Sequence, residues 1–98
     1  MSQWLEFHWD VQPEIDSSFQ WYELQRTGLG TEFLDAVEDA LAEIADHPTR
    51  YGFVERDVRE YVVARFPHAV YYRALPDRIR ILAVHHSARN PASWRTRT

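Results

Sequence analysis

Arg65-Phe66-Pro67-His68-Ala69-Val70-Tyr71-Tyr72-Arg73 lies at the junction of two runs rich in β-branched and aromatic residues, 58–66 and 69–75. A third such run, 79–86, follows the turn residues Pro76-Asp77. Residues of this kind fit a pleated, half-buried surface, and Pro-Asp is turn chemistry. Connections this short force neighbouring strands to run antiparallel. The last third of the chain therefore reads as three antiparallel strands.

Upstream the period changes. Leu5, Phe7 and Trp9 alternate with Glu6, His8 and Asp10, the signature of a half-buried strand. Asp10 is placed to cap a helix whose first turn holds Pro13. Val11, Ile15, Ser18 and Tyr22 then share one helical face, and Thr27-Gly28 should end it. Thr31 is placed to cap a second helix, in which Phe33, Leu34, Val37, Leu41 and Ile44 recur at helical spacing until Pro48. Two helices joined by so short a link pack as antiparallel neighbours. The order β-α-α-β-β-β gives an α+β fold: an N-terminal strand, an antiparallel helical hairpin, and three antiparallel strands completing a twisted sheet. At 98 residues, residues 1–98 are expected to form one domain.

Composition bounds the chemistry. There is no Cys, so neither a disulfide framework nor thiolate chemistry is available. Neither a basic leader with a long apolar run nor a membrane-length apolar stretch occurs, which points to a soluble cytoplasmic protein. The formal charge of −4 conceals two opposed halves. Residues 1–49 hold one Arg against eleven Asp/Glu, whereas residues 50–98 hold ten Arg against four. That asymmetry is a signature of interaction rather than a requirement of folding. Every basic residue is Arg, a planar donor fork suited to carboxylates and phosphates, although base composition alone also yields such usage.

Few residues carry a specific chemical signal. The acidic face of the second helix, Glu38, Asp39 and Glu43, reads as a solvated surface. His85 and His86 are strand neighbours and must point to opposite faces, so they cannot share a metal. No third ligand stands at a suitable spacing, and no metal site or cofactor is expected. The three glycines, Gly28, Gly30 and Gly52, make no phosphate loop. Any catalysis would be acid–base or electrostatic work by His, Arg and Tyr. Alternation over 58–66 assigns Val58, Val62, Ala64 and Phe66 to the core with Glu60 among them, and Arg59, Tyr61, Val63 and Arg65 to an open face. Tyr71 and Arg73, then Arg78, Arg80 or His86, can join that face from the next strands. A basic sheet face with aromatics suits an acidic peptide or a phosphate backbone, with a merely solvated face as the bland alternative.

The stretch Arg65–Arg73, together with Ala83-Val84-His85-His86-Ser87-Ala88-Arg89-Asn90-Pro91-Ala92-Ser93-Trp94, resembles the ending of the ParE/RelE toxin family of bacterial type II toxin–antitoxin systems. The likeness extends to Trp21-Tyr22-Glu23-Leu24-Gln25-Arg26-Thr27-Gly28-Leu29-Gly30, to Phe33-Leu34, to His47-Pro48-Thr49-Arg50-Tyr51 and to Arg59, so it covers nearly the whole chain. The family fold is the same β-α-α-β-β-β. The resemblance implies a toxin neutralised by a small antitoxin encoded beside it. RelE-like members cleave mRNA at the ribosome without a metal, whereas ParE-like members poison DNA gyrase. His86 followed by Arg89, Asn90-Pro91 and Trp94 looks like the ParE-like, plasmid-stabilisation branch, and net acidity argues against a ribosome binder.

The resemblance thus implies a gyrase-binding toxin with Arg59, Tyr61, Arg65, Arg73, Arg80, Arg89 and Trp94 as antitoxin- or target-binding residues. The alternative is a ribosome-dependent mRNA endoribonuclease using His86, Arg65, Arg73, Arg89 and Tyr71 (or Tyr72). Ala64 and Ala88 stand where relatives often carry Arg, Glu60 replaces a basic or small residue, and Trp9-Asp10 replaces Pro-Glu. These departures make a non-toxic, attenuated member a third reading. The sequence leaves open whether the chain forms a homodimer.

Overall fold

A computed structural model describes residues 3–89 and 91–97. Asn90, part of the family-like ending, lies outside the described residues. The elements in chain order are β1 (Leu5–Phe7), α1 (Val11–Gln25), α2 (Leu29–Asp46), β2 (Phe53–Glu55), β3 (Val58–Val62), β4 (His68–Ala74), β5 (Ile79–His86) and α3 (Ala92–Arg95). One five-stranded sheet has the order β1-β5-β4-β3-β2. β1 runs parallel to β5, and the other pairs are antiparallel. The expected α+β order is present, with two additions that periodicity did not reveal. β2 is an edge strand of three residues, and α3 is a single turn. Both are too short to display a period.

α1 and α2 pack on one face of the sheet. Their apolar stripes, including Val11, Ile15, Tyr22, Phe33, Val37 and Ile44, meet Val63, Phe66, Val70, Tyr72, Ile81 and Val84 in the main core. The opposite face carries a smaller cluster of Val58, Ala69, Tyr71, Leu82 and Ala83, roofed by Trp94 of α3. A register shift where Tyr71 pairs with Ala83 and Tyr72 with Ile81 leaves Leu82 as the extra residue. Leu82 and Ala83 consequently both belong to the smaller cluster.

Several local expectations are corrected. Asp10 stands at the N-cap of α1, but its side chain makes no capping hydrogen bond. The expected burial alternation fails from Phe7 onward: Phe7 and Trp9 are exposed and His8 is buried. α1 stops at Gln25, and α2 begins at Leu29 instead of after Thr31. Gly28 holds φ 92°, where a side chain would be strained, and turns the chain between the helices. The cap of α2 comes from the preceding helix: the Glu23 carboxylate accepts the N–H groups of Gly28 and Gly30, both at 3.0 Å. A carboxylate there also meets the positive end of the helix dipole.

The face assignment over 58–66 is inverted. Tyr61 and Val63 pack toward the helices, Val58 is buried on the opposite face, and Val62 is 61% exposed. The reason is local. β3 ends at Val62 and the chain turns through Arg65 at φ 69°, so Phe66 reaches the core from a loop. Carrying a strand's parity through that loop shifts every upstream side chain to the wrong face.

Candidate functional site

The expected site residues fall into four places. Arg59 and Tyr61 project toward the helical side. The Arg59 guanidinium donates to the carbonyls of Tyr51 (2.6 Å) and Thr49 (3.2 Å) and lies 4.0 Å from the Phe53 ring centre. It ties the α2–β2 connection to the sheet, a structural task. Tyr61 packs edge-on against Tyr51, 4.7 Å between ring centres. Arg65 is not on a strand. It sits at the β3–β4 turn, exposed, 3.6 Å from Glu32 in the first turn of α2.

Arg73, Arg80, Tyr71 and Trp94 share the face opposite the helices. Trp94 is 4% exposed and stacks on Tyr71, with 5.1 Å between ring centres at 18°. Burial, with the Glu60 carboxylate beside it, pushes the Tyr71 phenol up to about 12. A phenol so reluctant to ionise is a poor general base at neutral pH. Arg73 pairs with Asp57 at 2.8 Å, and Arg80 pairs with Glu6 at 2.9 Å. Arg73 holds the Asp57 carboxyl below the usual range, mainly by their hydrogen bond, and Arg78 with Arg80 does the same for Glu6.

His86 and Arg89 lie at the far end of β5, beside the start of α1. They line a cleft with Asp10, Glu14, His68 and Arg97. The His86 Nδ1 accepts the Ala88 N–H at 3.1 Å, and its ring stands 5.6 Å from that of His68. The rings of the two neighbouring histidines diverge, although both residues border that cleft. His85 turns to the Tyr71–Trp94 side, where Nε2 meets the Ser93 hydroxyl at 2.9 Å. His68 is buried, with the Ser18 hydroxyl at 3.2 Å from Nε2 and the Tyr22 hydroxyl at 3.3 Å from Nδ1. Desolvation, then the neighbouring His86 and His85, pulls His68 down to about 4, so it is neutral at physiological pH.

The acid–base set is therefore not brought together. His68 pairs with His86 and Arg73 with Arg80, five positions apart along β4. At about 3.3 Å per residue that is roughly 17 Å, and Arg73 faces the other side of the sheet. Arg65 belongs to a third place.

Sequence reasoning missed Glu14. It lies on the buried stripe of α1, accepts the Val84 N–H at 3.1 Å and pairs with Arg97 at 2.9 Å. Its position among Val11, Ile15 and Ser18 was the available signal: an acid on an apolar stripe needs a buried partner. Arg97 also donates to the Leu82 carbonyl, so the C-terminal segment is fastened beneath β5. Arg56 and Arg95 were missed because nothing in their spacing places a hairpin tip beside α3.

Among the described residues, no group of three or more His, Asp or Glu is placed to hold a metal ion, and no helix is long and apolar enough to cross a membrane. No curated protein sequence matches the chain. A solved chain from a chromosomal ParDE TA system of P. aeruginosa shares the fold at TM-score 0.65 and 16% identity, covering 87% of this chain and 96% of that one. A family model described as the ParE toxin of type II toxin-antitoxin system, parDE, matches residues 5–91, which take in all five strands and both long helices. The chain belongs to the ParE toxin family of type II toxin–antitoxin systems.

Proposed function

We propose that this toxin acts by binding DNA gyrase in the cytoplasm, as a single domain, and is neutralised by a ParD-type antitoxin encoded beside it. What supports binding over cleavage is the dispersal of the acid–base candidates: His86 with Arg89, Tyr71 with Arg73, and Arg65 stand in three separate places. A ribonuclease needs such groups around one phosphodiester. The charge map suits an acidic antitoxin segment that orders on binding. Arg73 and Arg95 already hold exposed carboxylates, Asp57 and Glu55, which a partner's carboxylates can replace.

A second reading, a non-toxic member that only partners its antitoxin, is favoured by that same internal neutralisation and by Ala64 and Ala88. Induced expression without antitoxin separates these readings. Growth arrest with defective supercoiling and normal early translation is the expected result. Immediate translation arrest would replace gyrase with mRNA as the target. Normal growth with folded protein would favour the non-toxic reading.

A further inference from the structure

The face opposite the helices holds a cleft of about 360 Å³ between the β2–β3 hairpin and α3. Four arginines, Arg56, Arg73, Arg95 and Arg97, line it against two carboxylates, Glu55 and Asp57. Its floor is apolar: Val58, Leu82 and Trp94. We propose that this cleft is a phosphate-binding site, taking the phosphoryl group of a nucleotide or of a nucleic-acid backbone.

Three arginines reach the cleft from three elements. Arg56 comes from the hairpin tip, Arg73 from β4 and Arg95 from α3. Two of them are balanced one to one: Arg73 by Asp57 at 2.8 Å and Arg95 by Glu55 at 2.6 Å. Arg97 turns away to Glu14 and the Leu82 carbonyl. Arg56 is the excess cation. It makes no hydrogen bond or ion pair among the described residues, and its charge merely helps to keep Asp57 ionised.

The backbone makes Arg56 more telling. Its φ is 50°, a conformation that Gly or Asn adopts at far less cost than Arg. An arginine kept there holds a cation at the cleft mouth where the hairpin would be easier to build without it.

The shape of the charge selects the ligand. A monoanionic carboxylate entering the cleft would only replace Asp57 or Glu55. A terminal phosphate monoester carries up to two charges and three acceptor oxygens, so it can engage Arg73 and Arg95 together with Arg56; a backbone diester, with one charge and two free oxygens held tetrahedrally, can bridge Arg56 and one of the other two. The carboxylates it displaces are exposed and return to water, Asp57 at 59% and Glu55 at 36% side-chain exposure. The apolar floor strengthens the attraction by excluding water from one side. The isolated chain should bind phosphate whether or not gyrase is its target.

The test uses the full chain, titrated with inorganic phosphate, with thymidine 5′-monophosphate and with a short DNA duplex, followed by heteronuclear NMR. Arg56→Gly removes the cation while relaxing the hairpin, so folding is retained. Arg50→Ala, an exposed arginine paired with Glu43 away from the cleft, is the control. The expected result is binding to the wild type that perturbs the Trp94 indole signal, weakened roughly tenfold by Arg56→Gly and unchanged by Arg50→Ala. The salt dependence of duplex binding should also fall by about one ion in Arg56→Gly. Tighter binding to the duplex than to the mononucleotide identifies backbone phosphate as the source, and the reverse order identifies a free nucleotide. Absence of phosphate binding by the wild type, or equal losses in Arg56→Gly and Arg50→Ala, would overturn the proposal.

Discussion

His68 shows how far a single side chain can be removed from the role its type suggests. It sits 5% exposed under α1, between the Ser18 and Tyr22 hydroxyls. Its folded pKa is pulled down to about 4 from 6.5, so the unfolded chain binds the proton more readily between those values. The resulting stability is complete above about pH 6.5 and is lost as pH falls toward 4. We expect a loss of about 3 kcal/mol across that window, seen as falling urea midpoints. His68→Gln should flatten the profile, and an unaltered slope in that variant would assign the pH dependence elsewhere. Glu14 and Arg97 form the complementary case, both side chains about nine-tenths buried. Glu14→Ala removes the nearest carboxylate of Arg97, leaving it the Leu82 carbonyl and the more distant Asp10, and strips the Val84 N–H of its acceptor; it should cost about 2–3 kcal/mol in equilibrium unfolding.

At the scale of elements, the helical hairpin depends on a close approach. A Cβ at Gly30 would lie 2.7 Å from the Phe19 ring and 2.8 Å from the Phe19 carbonyl oxygen. The ring can turn but the carbonyl cannot, so Gly30→Ala should destabilise by about 1–3 kcal/mol by calorimetry. Glu23→Ala removes the cap of α2 and should cost about 1 kcal/mol, read in the same experiment. The same elements show what the residues reveal in advance. Both long helices were legible because a stripe such as Phe33–Val37–Ile44 repeats over several turns. The turn at Pro76-Asp77 and the strand after it were legible because turn chemistry and β-branched residues agree. β2, α3 and the facing of β3 were not. The first two are shorter than any period, and the third hinged on Arg65, an L-residue at positive φ that sequence pattern does not announce. The family-like ending singles out Arg73 and Trp94 as residues, and the fold sets both on the side of the sheet away from the helices. Arg56 and Arg95 join them only through the fold, since residues about forty positions apart meet at Glu55–Arg95.

For the whole molecule, the charge asymmetry of the sequence becomes a layered one. The helices present an acidic surface, and the arginines gather around the sheet and its ends. Much of that positive charge is already matched internally, by Asp57, Glu6, Glu55 and Glu14. A partner that bound at the sheet would exchange ion pairs there, so its affinity should fall as salt rises. Reversal at Arg73 should weaken antitoxin affinity by about 1–3 kcal/mol in calorimetric titration. Reversal at Arg59 should instead destabilise the fold, because that guanidinium holds backbone carbonyls. If this ParE-family chain stops cells by binding gyrase rather than by cutting RNA, the effect should appear with purified components alone. The most direct measurement adds the purified chain to purified DNA gyrase and follows supercoiling of a relaxed plasmid. Inhibition that rises with toxin concentration and is reversed by the cognate antitoxin is the predicted result. Full supercoiling at saturating toxin, with the fold verified, would rule out gyrase as the target.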